Sequence, residues 1–325
     1  MKIDTKKDLI DEELLNNLFS EDLYKEIIES RTFCRLKKIH FLGAIDYLYK
    51  QNNRKTYTRY THTLSVATLA LKYAQLGKLT VSAERYLVCA ALLHDIGHAP
   101  LSHSMEPSFK KLFNISHHIA SNKIIRGTSP LGDEIAVILR KYKINFDKLI
   151  NLLDNKSQKK YTSALNGPIN IDTIDGIFRA HSYLSEAEQY KHAPKPMDVV
   201  EALFDTKKDY ILDNFWGLKN RVYEDIINKK INVYADKVTQ QYILDSRHVI
   251  ADEFYWSEAE FKEKHSLLFT QLNGIKEKNI PEEELKYNKR LYTIDRNNSE
   301  IEKKYIHKKT PNYFPLNRQF QNLLF

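Results

Sequence analysis

Six of the chain's 12 histidines (His62, His94, His98, His103, His117 and His118) fall within residues 54–118, one fifth of its length. Imidazole is the commonest metal ligand and a general acid or base near neutral pH, so such clustering points to coordination or proton transfer. His94-Asp95 is the first pair to weigh. With 12 histidines and 20 aspartates a His-Asp dipeptide is expected about 0.7 times by chance, so its meaning rests on its setting. It ends the apolar run LVCAALLHDIG, where a buried His and Asp are costly unless paired or coordinating something. Neighbours on a helix point about 100° apart, yet one cation at the helix end can be reached by both. His62 opens another helical stretch, and two helices side by side could bring it beside His94. Asp172 sits in INIDTIDGIF among Ile169, Ile171, Ile174 and Ile177, and a carboxylate in apolar surroundings needs a partner, of which a metal is one. His62, His94, Asp95 and Asp172 make a mixed nitrogen and oxygen donor set. It suits one divalent ion, with Mn, Fe, Zn or Ni favoured over Mg because of the imidazoles. Four protein ligands on a six-coordinate ion leave positions for water and a phosphate oxygen. The competing reading makes each histidine a hydrogen-bonded core residue.

The elements that must position these groups read as a series of amphipathic helices. Residues 5–30 form one helical stretch and residues 33–50 a second. QNNRKTYTRYT interrupts the pattern, and a helix follows over Thr61–Leu76, with Gly77 placed as a left-handed C-cap. Thr80 or Ser82 caps the next helix, Glu84 lies in its first turn, and it runs to about Ile96 with Gly97 at its end. HAPLSHSMEP reads as a loop. Helices are expected over 116–126, 132–141, 146–153, 170–183, 198–204, 213–229 and 232–246, and Ser257-Glu258-Ala259-Glu260 as a capping box opening another. His192–Pro196 is the best internal boundary. Alternation over 288–294 and 301–307 around Asn297-Asn298-Ser299 predicts a small β-hairpin.

Composition limits the class. Glycine and proline together make 18 of 325 residues, well under the roughly 12% of average usage. So few turn-formers argue against a sandwich, barrel or propeller and for a mostly helical chain. The two cysteines, Cys34 and Cys89, make no disulfide framework and suggest a reducing compartment. MKIDTKKDLIDEELL lacks the apolar stretch of a signal peptide, and the longest apolar run, Leu87–Leu93, is far short of the roughly 20 residues that span a bilayer. A cytoplasmic protein without membrane contact is expected. Lys and Arg outnumber Asp and Glu by 50 to 42. That modest excess favours polyanionic partners, whether nucleic acid or phosphorylated small molecules.

The order His62, His94-Asp95, Asp172 resembles the H…HD…D signature of HD-domain phosphohydrolases. RYTHTLSVATLA (59–70), ALLHDIGHAPLSH (91–103), HHIAS (117–121) and NIDTIDGIFR (170–179) resemble elements of the dNTP triphosphohydrolase branch, as does the approach segment RLKKIHFLG (35–43). The likeness covers about 35–185, with a weaker echo in LKNRVYEDII (218–227). It implies an all-α HD-domain core over 35–190, preceded by a helical segment over 1–34. A helical region over 191–325 would complete the pocket or an interface and carry the small hairpin. It implies one divalent metal on His62, His94, Asp95 and Asp172. Arg59 would contact substrate phosphate and Tyr223 the base or sugar. His98, His103 and His117 would line the phosphate side, one of them the general acid, with Glu106 orienting a catalytic histidine. The chain departs from that branch at Thr173 and Gly176, where a lysine and a tyrosine are usual, and at Ala180, where an acid reads the sugar. The HE pair is His117-His118 here.

The expected function is therefore a metal-dependent phosphohydrolase acting on nucleotides, first a (deoxy)nucleoside triphosphate triphosphohydrolase or related nucleotidase. The alternative is an HD-type phosphodiesterase or nuclease on cyclic nucleotides or single-stranded nucleic acid, for which the lysines 303, 304, 308 and 309 would be the footprint. Nucleic acid is the less favoured partner, since no basic stripe with interleaved aromatics stands out. A third reading is a non-enzymatic module with a degenerate site, against which the complete ligand set argues. A homo-oligomer is expected from the resemblance alone.

Overall fold

A computed structural model describes residues 9–50, 56–157, 159–184, 193–280 and 285–314. The chain runs α1 (Glu12–Ser20), α2 (Asp22–Glu29), α3 (Arg31–Cys34), α4 (Ala44–Lys50), α5 (Arg59–Leu76), α6 (Val81–Leu93), α7 (Ser102–Phe113), α8 (His117–Arg126), α9 (Glu134–Lys141) and α10 (Phe146–Leu153). It continues through α11 (Ser163–Asn166), α12 (Ile171–His181), α13 (Pro196–Ala202), α14 (Asp209–Val222), α15 (Lys230–Asp245), α16 (Glu258–Lys264), α17 (Ser266–Gly274), β1 (Leu285–Ile294), α18 (Ile301–Lys304) and β2 (Tyr305–Phe314). The expected all-α class holds, with the two strands as its one sheet among the described residues. No helix among them is long and apolar enough to cross a membrane.

Helix α5 is the axis of the fold. Small and apolar residues cover its whole circumference, so it is buried on all sides from Arg59 to Leu71. A helix without a polar face belongs inside a bundle. It packs lengthwise on α6, buried from Leu87 to Leu93, and on α12, α1 and α13. The short turn between α5 and α6 makes them antiparallel, which sets the start of α5 beside the end of α6. Thr58, Thr80, Ser116 and Asn170 each accept a backbone N–H from the first turn of α5, α6, α8 and α12, so the ends that carry the chemistry are tied down by side-chain caps.

Several expectations change in detail. The 5–30 stretch divides into α1 and α2 at Glu21, whose φ of −93° and ψ of 116° are extended; residues 1–8 lie outside the described residues. The 33–50 stretch is broken at 39–43, where Phe41 N donates to Tyr57 O and Arg59 N to Ile39 O, drawing the chain past the start of α5. Gly77 has a φ of −76°, and it is Lys78 that turns left-handed at φ 47°. Gly77 instead admits Phe204, whose ring would meet a Cβ at 3.3 Å. HAPLSHSMEP is half helix, because α7 starts at Ser102. The 213–229 helix widens after Val222 into a π-turn over Tyr223–Ile227. The hairpin is longer than expected, and residues 301–304 are a helical turn. The 192–196 boundary falls partly outside the described residues.

The hairpin docks on α14 through aromatic packing. Trp216 meets Tyr292 and Tyr305 at ring-centroid distances of 5.1 and 5.4 Å, and its Nε1 donates to Thr293 O at 3.1 Å. Lys304, one of the four tail lysines, is buried and pairs with Asp209 at 2.7 Å. Glu258 of α16 ties the C-terminal helices to the core by accepting from His40 and from the Tyr47 hydroxyl, each at 2.5 Å.

Gly43 shows how closely the 39–43 turn approaches α7. Its φ is +64°, and a Cβ there would lie 2.1 Å from Leu101 O and 2.7 Å from Ser104 Oγ. Gly43→Ala should therefore cost about 2–4 kcal/mol of unfolding free energy, measured by urea denaturation. Gly132→Ala, with φ +85° and open space around it, should cost only about 1–2 kcal/mol.

Candidate metal centre

The three helix ends converge as expected. His62 comes from the first turns of α5, His94 caps the end of α6, Asp95 follows it, and Asp172 stands in the first turn of α12. Asn170 and Thr173 form a reciprocal capping box, Thr173 N donating to Asn170 Oδ1 at 2.8 Å. That box fixes where α12 starts and so where Asp172 points. His62 Nε2 lies 3.1 Å from Asp172 Oδ1 and 3.4 Å from His94 Nε2, and His94 Nε2 lies 3.6 Å from the same Asp172 oxygen. Asp95 brings Oδ2 to 3.4 Å from His62 Nε2 and Oδ1 to 3.5 Å from His94 Nε2.

Whether these residues fit a metal is decided on the far side of each ring. His62 Nδ1 is 2.6 Å from Asp175 Oδ2, and His94 Nδ1 is 2.8 Å from Ala91 O. An acceptor at Nδ1 holds the proton there and leaves the Nε2 lone pair free for a cation. Both free nitrogens face one point, Asp172 shares it, and Asp95 stands beside it. The set fits a divalent ion held by His62, His94, Asp95 and Asp172.

Charge in the surroundings keeps the acids ionised. Burial would raise the Asp95 carboxyl, but His94 and the Arg59 guanidinium hold it well below the usual range. Burial likewise opposes ionisation of Asp172, and His62 and His94 more than compensate. Asp175 is fully buried and stays ionised because Arg179 grips it with two bonds of 2.8 Å, besides its bond to His62. Asp172 itself is the more open acid, its side chain 46% exposed. The apolar setting inferred for Asp172 therefore belongs to Asp175, one turn further on.

The remaining residues divide into three groups. Arg59 is 4% exposed. It donates to Asp95 Oδ2 at 2.7 Å, Ser102 Oγ at 3.0 Å and Phe41 O at 2.8 Å. It thus braces a ligand while lining the adjoining cavity. His98, His103, Glu106 and His117 form a second cluster, their donor atoms within 4.8 Å of one another. Glu106 Oε2 is 2.6 Å from His117 Nδ1 and 3.7 Å from His103 Nδ1. His98 stacks on His117 at 4.4 Å and is fully buried; burial and then Arg59 keep it neutral. Its Nδ1 makes no hydrogen bond. Tyr223 lines the cavity at the start of the π-turn, with the Arg290 guanidinium 4.2 Å over its ring.

Sequence reasoning missed three groups on the cavity wall: Lys219 of α14, Asp236 of α15 and Arg290 of β1. Lys219 is buried, donates to Pro168 O at 2.9 Å, and is pushed down to about 8 by burial and then by Arg290. A buried lysine or aspartate leaves no periodic mark, because its position on the helix matches that of core residues. The cavity measures about 340 Å³, near the lower end of the roughly 300–1,000 Å³ of small-molecule sites.

The backbone between the two clusters is strained. Leu101 and Ser102 take left-handed φ values of 55° and 48°, and a Cβ on Gly97 would meet His117 O and Ser121 N at 2.4 Å. Glycine at 97 is needed for close approach, which sets α8 directly against the loop after His94-Asp95. Such strain concentrates where the surrounding structure over-determines a functional geometry.

Comparison with known proteins gives the family. The HD-domain family model matches residues 59–238, and the chain belongs to this family. HD domains bind a divalent metal, and the imidazole and carboxylate cluster is where this chain would hold it. Relatives include an uncharacterised Mycoplasma pneumoniae protein, the MG461 homolog, 26% identical over 62% of this chain and 51% of its own length. The uncharacterised Bacillus subtilis protein YwfO is 25% identical over 67% of this chain and 52% of its own. The chain thus spans about half the length of these two relatives. The fold is similar to a Bacteroides thetaiotaomicron phosphohydrolase, with TM-score 0.57, 17% identity, and coverage of 80% of this chain and 67% of that one. It is also similar to a hypothetical protein from Aquifex aeolicus, with TM-score 0.59, 16% identity, and coverage of 90% and 91%.

Asp175→Asn should weaken Mn²⁺ binding about 10–100-fold, the usual effect of losing a carboxylate behind a ligating imidazole, and His62→Ala should abolish it. Competition against a fluorescent chelator measures both; an unchanged affinity in Asp175→Asn would refute the role given to that acid.

Proposed function

We propose that the protein is a metal-dependent phosphohydrolase of nucleotides, with a (deoxy)nucleoside triphosphate as first-choice substrate and triphosphate release as first-choice reaction. The observation that carries this reading is that a complete HD ligand set and a second imidazole and carboxylate cluster each reach one small cavity, through Asp172 and through His103. A divalent ion held by His62, His94, Asp95 and Asp172 would supply Lewis acidity toward a phosphate ester and water.

The chain's own groups supply the rest. His103 stands on the cavity wall, and His117 with Glu106 stands behind it. Burial opposes ionisation of Glu106, but His103 and His117 hold it far below the usual carboxylate range. Burial, with Arg59 and His117, lowers the His103 pKa against the pull of Glu106, so His103 is assigned the proton donated to the departing oxygen on its position at the cavity wall alone. Glu106 and His117 orient it, and His98 backs the cluster as a neutral ring. Arg59 and Lys219 place positive charge where phosphate charge develops. Thr173 stands where related hydrolases have a phosphate-binding lysine, and Lys219 and Arg290 bring that charge from α14 and β1 instead. Tyr223 walls the base or sugar. The limited volume and mixed lining of the cavity favour a mononucleotide over a strand of nucleic acid, which leaves the phosphodiesterase or nuclease alternative less well supported.

Protein loaded with Mn²⁺ should release phosphate, pyrophosphate or tripolyphosphate from at least one member of a nucleotide panel, resolved by ion-exchange chromatography. EDTA should remove the activity and Mn²⁺ restore it. His94→Ala with Asp95→Ala should abolish both metal and turnover, whereas His103→Ala should retain metal and lose about 10²–10⁴-fold in kcat. Turnover that survives complete loss of metal would refute the mechanism.

A further inference from the structure

The tail lysines divide once the hairpin folds. Lys304 is buried on Asp209 and Lys303 pairs with Glu300 at 3.0 Å, so both are committed within the chain. Lys308 and Lys309 stand on β2, where every residue from 306 to 311 is exposed. β1 brings Lys286, Lys289 and Arg290 to the same ribbon, and neither strand holds an aspartate or glutamate. Strand pairing sets these cations together: Arg290 faces Lys309, Leu291 faces Lys308, Lys289 faces Thr310 and Lys286 faces Tyr313. Side chains alternate between the two faces of a strand, so Lys286, Arg290, Lys309 and Tyr313 share one face, and Lys289 and Lys308 share the other. Among the described residues Lys286, Lys289, Lys308 and Lys309 form no ion pair. Like charges directly opposite each other destabilise a ladder, and Arg290, followed by burial, pushes the Lys309 ammonium below its usual range. Cations gathered without counter-charge are suited to an anion from outside the chain.

The chemistry of the ribbon narrows the partner. Edge pairing with a second copy of the chain would set lysine against lysine, the arrangement by which edge strands avoid pairing. A polyanion meets the opposite condition. Tyr313 is 57% exposed and stands opposite Lys286, and Tyr287 stacks on Phe314 at 4.6 Å on the other face, so aromatic surface is interleaved with the cations. Bases of a single strand stack on such rings while its phosphates take the ammonium groups; an acidic peptide would use the cations alone. Residues 286–290 and 307–313 lie 17 or more positions apart in the chain, which is why no stripe is visible along either segment. We infer that the β1–β2 ribbon is a binding surface for single-stranded nucleic acid, with Lys286 and Lys309 on phosphates, Tyr313 under a base, and Lys289 and Lys308 adding charge from the other face. The surface lies outside the metal centre and does not depend on which phosphate ester is cleaved there.

The test titrates the full chain into a labelled oligothymidylate of about 20 nucleotides, longer than the usual single-strand site, and reads fluorescence anisotropy over a series of salt concentrations. The wild type should bind, with log affinity falling linearly against log salt. The triple variant Lys286→Ala, Lys308→Ala, Lys309→Ala should reduce that slope by about 2, at roughly 0.7 for each phosphate contact on a single strand, and weaken binding about tenfold or more. Tyr313→Ala should weaken binding about fivefold or more with the slope unchanged, as loss of one stacked base requires. Lys303→Ala, whose ammonium faces Glu300, should change neither quantity. All five positions are exposed, and a retained circular dichroism spectrum shows that the fold survives. Absence of binding, equal affinity in the triple variant, or a poly-glutamate peptide bound as tightly as the oligonucleotide overturns the proposal. A dimer in sedimentation velocity that Leu291→Lys breaks and the oligonucleotide leaves intact overturns it too, since a second copy then covers the ribbon.

Discussion

The fold is organised around keeping ionised and hydrogen-bonding groups inside a helical core. His62, Asp95, Asp175 and Arg179 are all essentially removed from water at the centre of the bundle. Burying such charges costs several kcal/mol each unless every one is paired and hydrogen-bonded. Here they form a closed series. Arg179 grips Asp175, Asp175 accepts from His62 Nδ1, Asp95 faces His62 from the other side, and Arg59 donates to Asp95. Each member satisfies the next, and the series leaves imidazole lone pairs and carboxylate oxygens facing a common point. The same bonds that make the charges tolerable therefore preorganise the donor set. Removing one partner would strand another buried charge, which typically costs about 3–5 kcal/mol, so site geometry and stability are linked.

The scaffold around this series is matched to it. The antiparallel α5 and α6 bring a helix start beside a helix end, and α12 adds a second start. Helix N-termini favour carboxylates through their exposed N–H groups and dipole, which suits Asp172. The loop from Ile96 to Ser102 then reverses direction in very little space. It accepts left-handed Leu101 and Ser102, and Gly97 within it and Gly43 on the facing 39–43 turn stand where neighbouring backbone leaves no room for a Cβ. That compression places His98, His103 and His117 around Glu106 beside the metal centre instead of dispersed over α7 and α8.

The C-terminal third adds the cavity's outer wall. Trp216 clamps the hairpin to α14, and this docking is what carries Arg290 over Tyr223 and near Lys219. Cationic charge on this wall comes from Lys219 of α14 and Arg290 of β1, and α15 adds Asp236. A cavity assembled from distant segments can change its selectivity without disturbing the ligand series, because the two share few residues.

Much of this was legible in the residues themselves. The helical class follows from the scarcity of glycine and proline and from periodicity. The four metal-ligand candidates follow from residue type, the HD dipeptide and the motif flanks, because coordination needs particular atoms at helix ends, and helix ends carry sequence marks such as Thr58, Thr80 and Asn170. Glu106 and the histidines around it were legible through the resemblance. Local pattern could not show that Asp175 rather than Asp172 is the deeply buried acid, since both lie on α12 and only the approach of His62 and Arg179 distinguishes them. Nor could it show that Gly77 keeps a right-handed φ while Lys78 turns, or that Lys219, Asp236 and Arg290 reach one cavity. Those outcomes depend on which surfaces meet across large separations in the chain, and the free energy of such contacts belongs to pairs of residues that no single stretch contains.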